Sequence, residues 1–204
     1  MTFDEYLKST PAPKLQLGCG GNILPGWLNT DAHVEGWAHP HSVHLNAAEP
    51  FPLPDNVFDY VYSEHMIEHL TFAQGQLMLS ECWRVMRPGA RIRISCPSLE
   101  FLLKLYQQPD DLDRAYIRET NPAWAPYADG IFTLNNFVRD WGHQFIYDRS
   151  TLTICLTAAG FENITEHRIR ESTDPVLCDL EIHTRMPEGM LQLETMTFEA
   201  TKPL

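Results

Sequence analysis

The hydrophobic and polar positions of this chain change period repeatedly, and each change predicts an element. "FDEYLKS" (3–9) has the spacing of a short amphipathic helix, stopped by Pro11 and Pro13. "KLQLGCGGN" (14–22) predicts a brief strand running into a glycine turn, and "GWLNTDA" (26–32) a second strand ending at Asp31. Residues 32–41 predict a loop, "SVHLN" (42–46) a third short strand and "FPLPDN" (51–56) a turn. "VFDYVYS" (57–63) is apolar enough for a buried strand, and residues 64–70 predict a short helix. A longer helix follows in "FAQGQLMLSECWRVM" (72–86), where Leu77, Leu79, Cys82, Trp83 and Met86 recur near helical spacing before Pro88-Gly89. "ARIRISCP" (90–97) alternates as a strand does, and "LEFLLKLYQQ" and "DLDRAYIRE" are helical. Residues 121–147 break the rhythm, with aromatics scattered among Pro, Gly and Asn. They predict an irregular lid or substrate-binding insertion. "DRSTLTICLTAAGF" (148–161) predicts a helix with a glycine stop, and "NITEHRIR" and "LQLETMTFEAT" the final strands.

Strand and helix thus alternate for most of the length, which predicts an α/β fold with a mostly parallel sheet covered on both faces. At 204 residues the chain suffices for one domain, taken as 1–204, with a sizeable core. Charge narrows the function. The formal net charge of −12 argues against non-specific nucleic-acid binding, because phosphate repels excess carboxylate. A mild basic cluster, Arg84, Arg87, Arg91 and Arg93, is the exception. The five cysteines are odd in number and form no C-x-x-C, which predicts neither a disulfide framework nor a zinc knuckle. The amino terminus has no apolar h-region, and no apolar run approaches a membrane span. The expectation is a cytoplasmic protein with no membrane partner.

The candidate chemistry lies at the first predicted strand end, where an open parallel sheet binds its ligand. There "LGCGGN" lets the backbone approach a ligand closely. Four stretches occur in order: "LQLGCGGN", "GWLNTDA", "FPLPDNVFDYVYSEHMIEHL" and "RVMRPGARIRISCP". Together with "HQFIYDRSTLTICLTAAGF", they make the chain resemble the Rossmann-like (class I) S-adenosylmethionine (SAM)-dependent methyltransferases, in particular a bacterial group described only as predicted methyltransferases. The resemblance implies a three-layer Rossmann-like fold, its sheet seven-stranded and mostly parallel with an antiparallel last strand. It also implies SAM as cofactor and S-adenosylhomocysteine (SAH) as product. Leu17, Gly18, Cys19, Gly20 and Asn22 would wrap the methionine end, Asp31 would accept the ribose hydroxyls, and Asn46 and Ala47 would meet the adenine. Ser63, Glu64 and His65 would leave the fourth strand beside the sulfonium. Cys19 is expected to be inert rather than nucleophilic.

The sequence departs from that pattern in places. Gln16 stands where an acidic residue is usual, Asn22 where a third glycine is, and Asn46 where Asp is. From Gly18 to Asp31 the chain advances 13 residues, against about 20 in a dinucleotide-binding unit. The first crossover helix is therefore expected to be shortened or missing, and an NAD-type dehydrogenase is disfavoured.

"SEHMIEHL" (63–70) also contains H-x-x-E-H: His65, Glu68 and His69. On a long helix this would be a zinc hydrolase site needing a third protein ligand. The resemblance reads the same letters as the end of a strand and a short helix, so no metal is expected. His33, His39, His41 and His44 read as solvated loop histidines. The expected function is methyl transfer to an oxygen or nitrogen of a small-molecule acceptor, with His143 or His65 as base. The alternatives are a non-catalytic SAM/SAH-binding protein and, less favoured, the zinc hydrolase. A homodimer paired through the last strands is compatible with the pattern.

Overall fold

The computed structural model describes residues 2–33, 42–182, 186–187 and 189–204; His39 and His41 lie outside them. Seven strands form one sheet in the order β3-β2-β1-β4-β5-β7-β6. They are β1 (Lys14–Leu17), β2 (Leu28–Asp31), β3 (Val43–His44), β4 (Phe58–Glu64), β5 (Met86–Pro97), β6 (Glu162–His167) and β7 (Thr195–Thr201). The first five pair in parallel, and β7 runs antiparallel between β5 and β6. The predicted mixed sheet with an antiparallel last strand is what forms.

One face is apolar. Val61, Ile92, Ile94, Cys96, Phe198 and Ala200 share a buried core with α2 (Phe72–Val85) and α6 (Arg149–Ala158). α2 begins where Thr71 and Gln74 close a capping box. α1 (Phe3–Ser9) adds Tyr6, whose hydroxyl accepts from Lys14 N–H and donates to the carbonyls of Lys14 and Gly26. The opposite face is polar along β4 and β5, and non-helical chain covers it. Trp27 and Tyr62 pack there with Leu177 and Leu180. No helix lies between β1 and β2, as the short spacing from Gly18 to Asp31 predicts.

The basic cluster resolves into this polar layer and its rim. Arg93 is fully buried and pairs with Glu181 and Glu199, each at 2.7 Å. Arg91 pairs with Asp174 and Glu199, Arg84 with Asp55 and Glu81, and Arg87 with Asp59. All four arginines thus pair with carboxylates of the chain, Arg93 alone being fully buried.

Three expectations are corrected. Residues 64–70 form no continuous helix. Glu64 ends β4, His65 takes a left-handed φ of 44°, and a single 3-10 turn covers Ile67–His69. The helical face that would bring His65 and His69 onto one zinc does not exist. Residues 121–147 are not wholly irregular, because α5 spans Gly130–Arg139. Its buried side mixes Gly130, Thr133 and Asn136 with Phe137, and a Cβ at Gly130 would lie 2.3 Å from the Leu105 carbonyl oxygen of α3 (Leu99–Gln107). Finally, "LQLETMTFEAT" is not one strand. α7 (Met190–Glu194) precedes β7, with Met190, Leu191 and Glu194 buried. Met190 joins α3, α4 (Asp111–Glu119) and α5 in a second small core around Phe101, Leu105, Tyr116 and Phe137.

Candidate active site

Register places the carboxyl ends of three strands side by side. Leu17 is level with Thr30 of β2 and Ser63 of β4, so the glycine turn, Asp31 and Glu64 emerge at one edge. A cavity of about 1260 Å³ opens there. Its floor comes from the strand ends and its roof from the second small core, through Tyr116, Phe137 and Glu194.

Of the sequence-predicted residues, Gly18, Cys19, Gly20, Asn22, Asp31, Asn46, Ala47, Glu64 and His65 line this cavity. Leu17 and Ser63 do not, being buried within the sheet. Gly18 and Gly20 have φ of 63° and 48°, left-handed values that glycine adopts without strain. A Cβ on Gly18 would come within 2.3 Å of Met66 Cγ, so the turn and the chain after β4 are in tight contact. A Cβ on Gly20 or Gly21 would meet nothing within 4 Å, so the turn is open on that side. Asp31 fixes it: Oδ2 accepts from Gly20 N–H and Oδ1 from His33 N–H, both at 2.9 Å. A carboxylate has about four acceptor positions, so two remain unused by the described residues.

Asn46 is engaged locally. Its Oδ1 accepts from Ala48 N–H at 3.0 Å and its amide donates to Glu49 at 2.8 Å. The Glu64 carboxylate accepts from Asn22 Nδ2, the Tyr62 hydroxyl and Ile182 N–H, which ties the glycine turn and the chain before α7 to the end of β4. Burial and the neighbouring Asp31 carboxylate push the Cys19 thiol up to about 11, which keeps it protonated and inert near neutral pH.

The two candidate bases differ. His65 Nε2 is 2.9 Å from Thr195 Oγ1, and its Nδ1 is 3.4 Å from Glu68 Oε1, so both ring nitrogens face partners. His143 Nδ1 lies 2.6 Å from the Phe137 carbonyl oxygen. A carbonyl only accepts, so Nδ1 carries the proton, and Nε2 is left with its lone pair in the neutral ring.

Two cavity residues were absent from the sequence-based site. Gln16 lines the cavity and is buried, and its Oε1 has no hydrogen-bond partner. The signal was Gln16 standing just before the turn, where the resemblance leads one to expect an acidic residue. Glu68 is also buried and lines the cavity, and neither carboxylate oxygen has a hydrogen bond. Burial would raise its pKa, but His65 and His69 more than offset this and hold it below the usual carboxylate value.

Residues 15–94 match a family model described as a methyltransferase domain. No curated protein matches the chain in sequence. Solved structures similar to it include a Haemonchus contortus phosphoethanolamine N-methyltransferase in complex with phosphomonomethylethanolamine and SAH. That protein is 13% identical with a TM-score of 0.52, over 99% of this chain and 53% of that one. This chain therefore spans about half of that protein's length. A SAM-dependent methyltransferase from Archaeoglobus fulgidus is 19% identical at a TM-score of 0.53, over 98% of this chain and 90% of that one. A SAM-dependent methyltransferase from Thermotoga maritima, described as a possible histamine N-methyltransferase, is 14% identical at 0.53, over 97% and 86%. The strand order and these solved structures agree on the fold: this chain has the fold of the class I SAM-dependent methyltransferases, and its residues 15–94 match a methyltransferase-domain model.

Proposed function

We propose that the chain binds SAM at the glycine turn and transfers its methyl group to an oxygen or nitrogen of a small-molecule acceptor. The observation that carries this reading is the conjunction of unused polar atoms with an open turn. Asp31 has acceptor positions to spare for ribose hydroxyls, the Gln16 oxygen is an orphan suited to an ammonium, and the turn is open at Gly20 and Gly21. The H. contortus and A. fulgidus proteins, a SAH complex and a SAM-dependent methyltransferase, support the same assignment of the cavity.

Bound SAM supplies a sulfonium methyl that leaves a neutral thioether, so the protein's work is alignment and water exclusion. Cys19, Gly20 and Asn22 hold the methionine end beside Glu64, while Ala47 presents a buried wall to the base. The acceptor enters under the roof, among Trp124, Phe137, Trp141 and His143, whose faces suit a flat or partly apolar molecule. Of the two histidines, His143 is the one with a free ring nitrogen to take a proton from the acceptor.

Calorimetric titration of SAH tests the cofactor site. Asp31→Ala should weaken binding by about 10- to 150-fold, equivalent to about 1.5–3 kcal/mol for hydrogen bonds to a charged group. Absence of SAH binding by the unaltered protein would overturn the reading. Methyl transfer from SAM to an added acceptor separates an enzyme from a binding protein, and His143→Ala should lower turnover while leaving SAH affinity unchanged.

A further inference from the structure

The cavity wall holds a second cluster that the methyl-transfer reading does not use as a group. Glu68, His69 and His143 each offer one ligand atom, and these atoms all lie within 4.8 Å of one another. All three line the cavity. We infer that Glu68, His69 and His143 bind one divalent transition-metal ion of the zinc or cobalt kind, with an open coordination position toward the cavity.

Three observations carry this independently of the letters H-x-x-E-H. First, the Glu68 side chain is 1% exposed and neither oxygen has a hydrogen bond, which leaves buried negative charge in want of a cation. His65 Nδ1, 3.4 Å from Oε1, is its ion-pair neighbour and leaves Oε2 free. Second, the His143 ring is set as metal-binding imidazoles are, with Nδ1–H donated to the Phe137 carbonyl and Nε2 left as the donor atom. The His69 ring meets it edge-on, with centroids 4.8 Å apart. Third, the backbone builds the juxtaposition. The Glu68 carbonyl accepts from Gln144 and Phe145 N–H at 2.8 and 3.2 Å, and Gly142, at φ 79°, turns the chain beside His69.

Two imidazoles and one carboxylate are a common donor set for a catalytic metal ion with a vacant position. Ligand atoms held at about 2.0–2.1 Å around a tetrahedral ion lie about 3.3 Å apart, so small side-chain rotations close the cluster. The set differs from the one the sequence suggests: His143, 74 residues after His69 by subtraction, supplies the ligand that His65 cannot. What the ion does rests on the proposed methyl transfer. A hydroxyl of the acceptor bound at the open position would lose its proton to solvent more readily, and His143 would then act as a ligand and not as a base.

The test is titration of metal-stripped protein with Co²⁺, read by its visible absorption, with SAH calorimetry on the same samples. One equivalent per chain with bands of tetrahedral or five-coordinate Co²⁺ is expected, displaced by Zn²⁺. His143→Ala and Glu68→Gln should each weaken binding about 10- to 100-fold while SAH affinity persists, which also shows that the variants are folded. If Glu68→Gln does not fold, His69→Gln replaces it. No cobalt bands, or bands unchanged in the His69→Ala/His143→Ala double variant, would overturn the metal site. Cobalt binding without SAH binding would instead sink the cofactor reading and leave the metal site standing.

Discussion

Gly18 shows how much one position decides. Its φ of 63° costs a side-chain-bearing residue about 1–2 kcal/mol, and the Cβ would strike Met66 Cγ and Cβ at 2.3 and 2.9 Å. Relief requires Met66 to move, and with it the chain that carries Glu64, His65 and Glu68. Gly18→Ala should therefore destabilise the fold by about 2–4 kcal/mol in all, lowering Tm by about 5–15 °C and weakening SAH binding together. An unchanged melting curve would refute the contact. At this scale the sequence marked Gly18, Gly20 and Asp31 because the glycine turn and the strand-ending acid fall in the order of stretches that resembles the methyltransferases. It did not mark Gln16 or Glu68 as orphans, since whether a buried amide or carboxylate finds a partner depends on neighbours far along the chain.

Among the elements, α2 was read almost to the residue from its apolar spacing and the Pro88-Gly89 stop, whereas α5 and α7 were missed. α2 has a broad apolar side; α5 docks on α3 through a glycine, and α7 is too short for its period to show. α2 also secures the helix-free crossover from β3 to β4. Glu81 accepts from Phe51 N–H at 2.6 Å and from Arg84, whose guanidinium also donates to the carbonyls of Phe51 and Leu53. Chiefly through Arg84, the Glu81 carboxyl is held below its usual value of 4.5. A carboxyl depressed in the folded state adds stability that is complete above its unfolded pKa and disappears as pH falls through the folded one. Acid titration of stability should thus show a loss that begins below about pH 4.5 and is smaller in Glu81→Gln, which should itself cost about 1.5–3 kcal/mol at pH 7. Urea melts at pH 7, 4.5 and 3 test this; equal pH slopes in both proteins would contradict it.

For the whole molecule, the decisive feature is how the polar face of the sheet is closed. Arg93 reaches from β5 to Glu181 in the covering segment and to Glu199 in β7, and it donates to the Glu171 carbonyl as well. Ser95 adds a hydrogen bond to the same Glu181 oxygen, and Glu181 also accepts from Arg170 N–H. The segment that covers the sheet also delivers Ile182 N–H to Glu64 at the cavity, so closure of this face and shape of the site are linked. Arg93→Met would leave buried Glu181 without its cation and Glu199 with Arg91 as its remaining arginine, and should cost about 3–5 kcal/mol, measured by urea unfolding. SAH affinity should fall with it. A loss below 1 kcal/mol on the order of a surface pair would show that the network is dispensable. Among the described residues, no helix is long and apolar enough to cross a membrane.

Local chemistry, read from the sequence, was enough for the alternation of elements, the mostly parallel sheet, the glycine turn and the missing crossover helix, because period, turn residues and spacing are set by neighbouring residues among themselves. The reversed last strand and the pairing of the turn with Asp31 came from the resemblance to the methyltransferases. Only the tertiary structure decided that Arg93 is buried against Glu181 and Glu199, that the Gln16 and Glu68 side-chain oxygens are left without hydrogen bonds, and that His143 comes beside Glu68 and His69. Those facts arise where chain segments about 74 to 118 residues apart meet, and no local pattern encodes which buried charge will face which other.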